Sequence, residues 1–148
     1  MKFLAISILA LSLAGCCTSS GSLNKSRLNY NINFGSSGGF TGNSDGYLID
    51  TSGAITQWTG KTFESSKLKV IGNLSSEGIT ELNELITSQN IIHTEYRKPG
   101  NMTQFIILTN NSTEHHLSWE GLSLTSDLPQ NIQIFYKKLN ELVSNSTK

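Results

Sequence analysis

The sequence predicts an α+β fold, with an antiparallel sheet of about five to six strands and two helices packed on one face. Two observations support this prediction. Short segments of alternating apolar and polar residues are separated by turn-forming residues, which is typical of antiparallel strands. Two longer segments repeat apolar residues every three to four positions, which indicates amphipathic helices. The predicted order is three strands, a helix, three strands and a helix (βββαβββα).

The first strand, at residues 28–34, has the clearest pattern. Apolar residues alternate there with asparagines, and they are Leu28, Tyr30, Ile32 and Phe34. Such alternation gives a strand one apolar face. The next segment, residues 35–42, is rich in glycine and serine, which predicts a loop. Residues 47–50 and 54–59 form the second and third strands, and residues 67–71 are a further candidate to extend the sheet.

The two helices have recognisable first turns. Ser75 is placed to cap the first helix, and Leu74 and Ile79 occupy the two positions of a hydrophobic staple. The apolar stripe of this helix contains Ile79, Leu82, Leu85 and Ile86. Three strands are predicted between the helices, at residues 91–97, 102–109 and 115–120. Pro129 opens the second helix at its favoured first-turn position. The stripe of that helix contains Ile132, Phe135, Tyr136, Leu139, Leu142 and Val143.

Composition argues against several classes of function. Lysine plus arginine equals aspartate plus glutamate, 11 of each, so no excess of basic residues is available for nucleic acid. His115 and His116 are neighbours on a predicted strand and therefore point to opposite faces, while His93 stands alone. We therefore predict no metal site and no cofactor. Both cysteines precede residue 18 and no convergent set of catalytic groups is recognisable, so we predict that the chain is not an enzyme.

The first sixteen residues have the layout of a secretory signal. Lys2 precedes an apolar run at residues 3–13 that is too short to span a bilayer. The run closes on Leu-Ala-Gly-Cys at residues 13–16, which resembles the lipobox of bacterial lipoproteins. The resemblance implies that Cys16 receives a diacylglyceryl group and becomes the first residue of the mature chain.

This interpretation divides the chain into four parts. Residues 1–15 are the signal peptide, residues 16–27 a polar lipidated tether, residues 28–143 a single α+β domain, and residues 144–148 a polar tail. The implied location is the exported side of the bacterial envelope, at the outer or the cytoplasmic membrane. The membrane is thus a partner, through the lipid on Cys16.

The glycine-rich loop is the candidate binding site, formed by Gly38, Gly39, Phe40, Thr41 and Gly42. It lacks the lysine of a phosphate-binding loop and does not open a helix, which argues against phosphate binding. Phe40 has two interpretations: a side chain that folds back into the core, which composition favours, or an exposed anchor for a partner.

Several segments together resemble the emfourin-like proteins, which are small inhibitors of thermolysin-like metalloproteases. They are the Ser-Gly-Gly-Phe-Thr-Gly segment at residues 37–42, the stretches that begin at Gly46 and Gly53, and the Leu128-Pro129 step before the last helix. The resemblance implies a non-catalytic protein-binding module that inhibits a secreted thermolysin-like metalloprotease. The alternative hypothesis is a structural or assembly lipoprotein of the envelope with no enzyme partner.

The lipid anchor is testable at one atom, the thiol of Cys16. We expect Cys16→Ala to leave the chain uncleaved or to release it into the soluble fraction, because the acyl chains that hold it on the membrane are lost. Membrane fractionation and the mass of the N-terminal peptide measure this. The assignment would be refuted if the variant fractionated like the unmodified chain and the N-terminal peptide of the unmodified chain carried no lipid mass.

Overall fold

The described residues form a sheet with two helices. The computed structural model describes residues 26–39, 42–61, 64–121, 124 and 127–147. Within these ranges the strands are β1 (Asn31–Gly38), β2 (Asn43–Ile49), β3 (Ala54–Lys61), β4 (Glu64–Asn73), β5 (Arg97–Lys98), β6 (Met102–Asn110) and β7 (Thr113–Glu120). The helices are α1 (Ser76–Ser88) and α2 (Gln130–Ser146), and a 3₁₀ turn covers Ile91–His93.

The strand order across the described sheet is β4-β3-β2-β1-β6-β7-β5. Each neighbouring pair is antiparallel except β5 and β7, which run parallel. The α+β class is confirmed, but the predicted antiparallel sheet of five to six strands in the order βββαβββα is wrong. Four strands precede α1, because residues 64–73 fold back onto β3 as a hairpin. The two-residue strand β5 makes the sheet mixed.

The first strand is shifted relative to the prediction. Residues 35–38 pair with β2 on one side and with β6 on the other, so they belong to the central strand and not to a loop. Glycine and serine are weak strand formers, but here partners on both sides satisfy the backbone hydrogen-bonding groups. At the other end the strand begins at Asn31. Leu28 precedes it and is buried in the core, where its N–H donates to the Thr51 carbonyl oxygen at 3.0 Å.

The strand predicted at residues 91–97 is also wrong. Asn90 follows α1 with a φ of 53°, in the left-handed region, and Ile91 after it is completely buried in the core. The N–H groups of His93 and Thr94 then donate to the carbonyl oxygens of Asn90 and Ile91, which closes the 3₁₀ turn. The apolar residues at 91 and 92 therefore serve packing after a helix end, and the strand is limited to Arg97–Lys98.

One face of the sheet packs against both helices. The strands contribute Ile32, Phe34, Ile49, Ile55, Ile106, Leu108, Leu117 and Trp119 to this core, and the helices contribute Ile79, Leu82, Ile86, Ile132, Phe135, Leu139 and Val143. Ser75 caps α1 as predicted, because its Oγ accepts a hydrogen bond from the Gly78 N–H at 3.1 Å. On the surface, Lys138 of α2 links to Glu81 of α1 with an Nζ–Oε1 distance of 2.7 Å.

The opposite face of the sheet holds a stack of two aromatic rings, Trp58 and Phe105. In one row across the sheet, Trp58 pairs with Gly46, Gly46 with Gly35, and Gly35 with Phe105. The two aromatic residues are three strands apart, a distance of about 14 Å between backbones. Their ring centroids are nevertheless only 6.1 Å apart, because the two glycines between them have no side chains. The relative exposures of Trp58 and Phe105 are 4% and 0%.

The paired glycines are required by this arrangement. A Cβ atom on Gly46 would lie 2.3 Å from the Phe34 carbonyl oxygen and 3.0 Å from Cζ2 of Trp58. A Cβ atom on Gly35 would lie 2.1 Å from the Asp45 carbonyl oxygen. Both distances to backbone oxygen are shorter than non-bonded atoms tolerate, so any substitution must move a strand.

We expect Gly46→Ala to lower the free energy of unfolding by about 2 kcal/mol or more, through overpacking against backbone and ring. Gly78→Ala is the matched control, because the atom nearest to a Cβ there is the end of the Leu142 side chain, at 3.3 Å, and the others are at ordinary contact distance. The Gly78→Ala change should also stabilise α1 by about 0.5–1 kcal/mol, because alanine has a higher helix propensity than glycine. Chemical denaturation measures both variants, and equal stabilities for the two would contradict the packing described for Gly46.

Candidate functional site

The hairpin tip, which we define as residues 38–42 between β1 and β2, is the predicted binding loop. Gly38, the last residue of β1, pairs with Asn43, the first residue of β2. Gly38, Gly39 and Gly42 have φ values of 114°, 73° and 61°, a region that residues with a side chain rarely adopt. The Gly42 N–H donates to the Gly39 carbonyl oxygen at 3.1 Å. The glycines therefore determine the backbone path of the tip.

The hairpin tip is braced by the start of β6. The Gly39 N–H donates to the carbonyl oxygen of Asn101 at 2.7 Å. A Cβ atom on Gly38 would lie 2.2 Å from that same oxygen, and one on Gly39 would lie 2.7 Å from Sδ of Met102. Gly38 and Gly39 thus pack directly on residues 101–102, and backbone leaves no space for a side chain at Gly38.

Serine side chains brace the two strands below the tip on both faces of the sheet. On the face with the aromatic stack, the hydroxyl oxygens of Ser37 and Ser44 are 2.7 Å apart, and both residues are buried. On the helix face, Ser36 Oγ donates to Asp45 Oδ1 at 3.0 Å. These contacts join β1 to β2 in addition to the backbone ladder.

A groove of about 410 Å³ lies beside the hairpin tip, on the face of the aromatic stack. Three segments line it: the end of β1, the 97–103 segment, and β7. The lining residues are Ser37, Gly38, Arg97, Pro99, Gly100, Thr103, His116 and Ser118. Thr103 Oγ1 holds the Pro99-Gly100 turn in place, since it donates to the Gly100 carbonyl oxygen at 2.9 Å and accepts from the Gly100 N–H at 3.1 Å.

His116 is the titratable side chain with a shifted pKa in this groove. Its ring lies edge-on to Phe105, with centroids 6.5 Å apart, and its Nε2 is buried with no hydrogen-bond partner among the described residues. Burial lowers the pKa of His116 below its usual 6.5. The nearby Arg97 guanidinium and His115 also lower this pKa, while Glu114 raises it by less than the others lower it. His116 is therefore neutral at physiological pH.

The other two histidines lie at a second groove, of about 660 Å³, between β7 and residues 92–97, which His116 also lines. His93, Glu95, Arg97 and His115 are among its lining residues. His115 Nε2 is 2.9 Å from the Thr94 carbonyl oxygen, so its ring faces away from the Phe105–His116 contact. No three His, Cys, Asp or Glu side chains in the described ranges are grouped to hold a metal ion.

The structure brings together three of the predicted binding residues, Gly38, Gly39 and Gly42. Phe40 and Thr41, and the lipidation candidate Cys16, lie outside the described residues. The sequence analysis missed the groove beside the tip. Pro99 and Gly100 were recognisable as a turn, but only the pairing of β1 with β6 and β7 places that turn next to the hairpin tip.

Comparisons with known proteins add no assignment: no protein-family model matches the chain, and no curated protein matches it. Among the helices in the described ranges, none has the length and apolar character needed to cross a membrane.

The lowered pKa of His116 predicts a dependence of stability on pH. Because the unfolded chain binds the proton more tightly than the folded chain, the contribution of His116 is fully present above pH 6.5 and is lost as the pH falls below it. We expect His116→Gln to flatten the fall in melting temperature between about pH 7 and pH 5.5. His93→Gln, at an exposed position, is the control, and an equal flattening in both variants would contradict the assignment.

Proposed function

We infer that this chain is a lipid-anchored, non-catalytic binding module of the bacterial envelope, whose hairpin tip docks on a secreted thermolysin-like metalloprotease. The observation that carries the proposal is the braced geometry of Gly38 and Gly39 at the base of the tip. The lipid anchor follows from the lipobox at Cys16, and the class of partner from the emfourin-like segments.

The fixed base of the tip makes it suited to docking. The base is held by the Gly39–Asn101 hydrogen bond and by the Ser37–Ser44 contact. A loop whose base is already fixed loses less conformational entropy when it binds, so more of the contact energy appears as affinity. An inhibitor that enters a protease cleft also needs a loop that resists the extended conformation required for cleavage, and positive φ values at three glycines oppose that conformation.

The position of the tip relative to the tether supports the same proposal. The described chain enters the domain beside the turn between β6 and β7, where Arg27 and Leu28 line a groove with Asn111. β1 then crosses the sheet from Asn31 to Gly38, a distance of about 24 Å. A membrane anchor before residue 26 would therefore hold the opposite end of the sheet, and the hairpin tip would face away from the bilayer.

The groove beside the tip has the features of a contact surface more than those of a catalytic site. Two of its three hydroxyl groups form structural contacts, Ser37 with Ser44 and Thr103 with Gly100. His116 Nε2 has no hydrogen-bond partner among the described residues, whereas nucleophilic catalysis needs a hydroxyl activated by a neighbouring base. Its volume and mixed lining suit a side chain of a partner protein.

The decisive residue for the proposal is Phe40, the large apolar residue of the tip segment. If Phe40 is an anchor, Phe40→Ala should weaken binding to a thermolysin-like protease about thirtyfold and leave the melting temperature unchanged. Inhibition of thermolysin by the full chain, together with thermal melts of both forms, measures this. Asn111→Ala, in the turn at the opposite end of the sheet, is the matched control and should change neither quantity.

Each other outcome removes a defined part of the proposal. A large fall in melting temperature, equivalent to about 3–5 kcal/mol, would show that Phe40 belongs to the core. An intact melt with undiminished inhibition would mean that the partner binds elsewhere on the domain. Failure of the unmodified chain to inhibit a thermolysin-like protease would favour the structural or assembly role.

A further inference from the structure

The edge strand β4 has the characteristics of a peptide-binding edge. Among the described strands it pairs with β3 alone, so its outer side has no strand partner. The register is interrupted near both ends, between Thr59 and Gly60 and between Ile55 and Thr56 on β3. Between these irregularities lies a regular segment of four residues, 67–70, which we call the β4 edge.

Two apolar side chains of the β4 edge are exposed. Leu68 and Val70 have relative exposures of 65% and 67%. Trp58, the cross-strand partner of Leu68, has a relative exposure of only 4%. Both lie on the face of the sheet that carries the aromatic stack, because Val70 pairs with Thr56 and Leu68 with Trp58. Single exposed apolar residues are common, but two at alternate positions of an unpaired strand form a row that a neighbouring strand could cover.

The other two side chains of the β4 edge are cationic. Lys67 and Lys69 pair with Thr59 and Gln57, on the opposite face from Leu68 and Val70, and both are exposed. Neither forms an ion pair with a described residue. Lysine on an edge strand discourages pairing with a second copy, because antiparallel pairing of two such edges brings like charges together. The same lysines attract a strand of the opposite charge.

We propose that the β4 edge binds an extended segment of a partner protein in which acidic and apolar residues alternate. The segment pairs with the free backbone groups of β4, as in recognition by strand addition. Its acidic side chains lie beside Lys67 and Lys69 on one face, and its apolar side chains cover Leu68 and Val70 on the other. This surface is separate from the hairpin tip and goes beyond the proposed function.

The probe for this interaction is a short fluorescein-labelled peptide that alternates glutamate and valine. We expect it to bind the full chain, solubilised in detergent, with an affinity that falls as salt is added. Hydrogen exchange should slow at the alternate residues of 67–70 whose N–H groups point away from β3. A peptide with lysine in place of glutamate should bind more weakly, and one with an N-methyl group on every residue should not bind, because neither of its edges keeps an N–H donor.

A charge reversal provides the specific test. The double variant Lys67→Glu/Lys69→Glu should bind the glutamate peptide about tenfold more weakly and should come to prefer the lysine peptide. The matched control is Lys98→Glu/Lys137→Glu, which changes the net charge equally at exposed sites away from β4. This control should bind the glutamate peptide like the unmodified chain.

Three results would overturn the proposal. The first is equal weakening in the double variant and its control, which would indicate attraction to net charge alone. The second is undiminished binding of the N-methylated peptide, which would exclude strand addition. The third is a concentration-dependent dimer in analytical ultracentrifugation that slows exchange at residues 67–70 without peptide, because the occupant would then be a second copy of the chain.

Discussion

The close stacking of Trp58 on Phe105 across two paired glycines is the constraint on which the centre of this domain depends. The helices cover one face of the sheet, and on the other face these rings lie over Gly35 and Gly46. Glycine is a poor strand residue, so this stretch of β1 depends on its partners for order. Strands on both sides and rings above supply that order, which extends the central strand to Gly38.

The position of the hairpin tip follows from the same central strand. β1 pairs with β2 through Gly38 and with β6 through the same residue. The base of the tip, at Gly38 and Gly39, therefore contacts residues 101–102. A side chain at Gly38 would meet the Asn101 carbonyl oxygen, and one at Gly39 would meet Sδ of Met102. These contacts follow from the pairing of β1 with β6.

The domain presents different chemistry at different borders of one sheet. The chain enters at the end where β6 turns into β7, the hairpin tip lies at the other end, and the β4 edge runs along one side. The remaining side is closed by the two-residue strand β5 and the 3₁₀ turn before it. An antiparallel sheet with helices on one face leaves its ends and edges available for contacts, while its core is occupied by packing.

Local spacing in the sequence was sufficient for the features that depend on neighbours in the chain. These features are the cap at Ser75, the stripes of α1 and α2, and the opposite orientations of His115 and His116. Each depends on residues close together in the chain.

The tertiary structure alone decided the rest. Residues 35–38 form a strand because distant strands pair with them. Residues 91–96 do not, because Ile91 is buried in the core. The groove of Arg97, Thr103 and His116 likewise exists only where three segments far apart in the chain meet. Hydrogen-bond pairing between distant strands leaves no periodic signal in the sequence, and this is the physical reason for the difference.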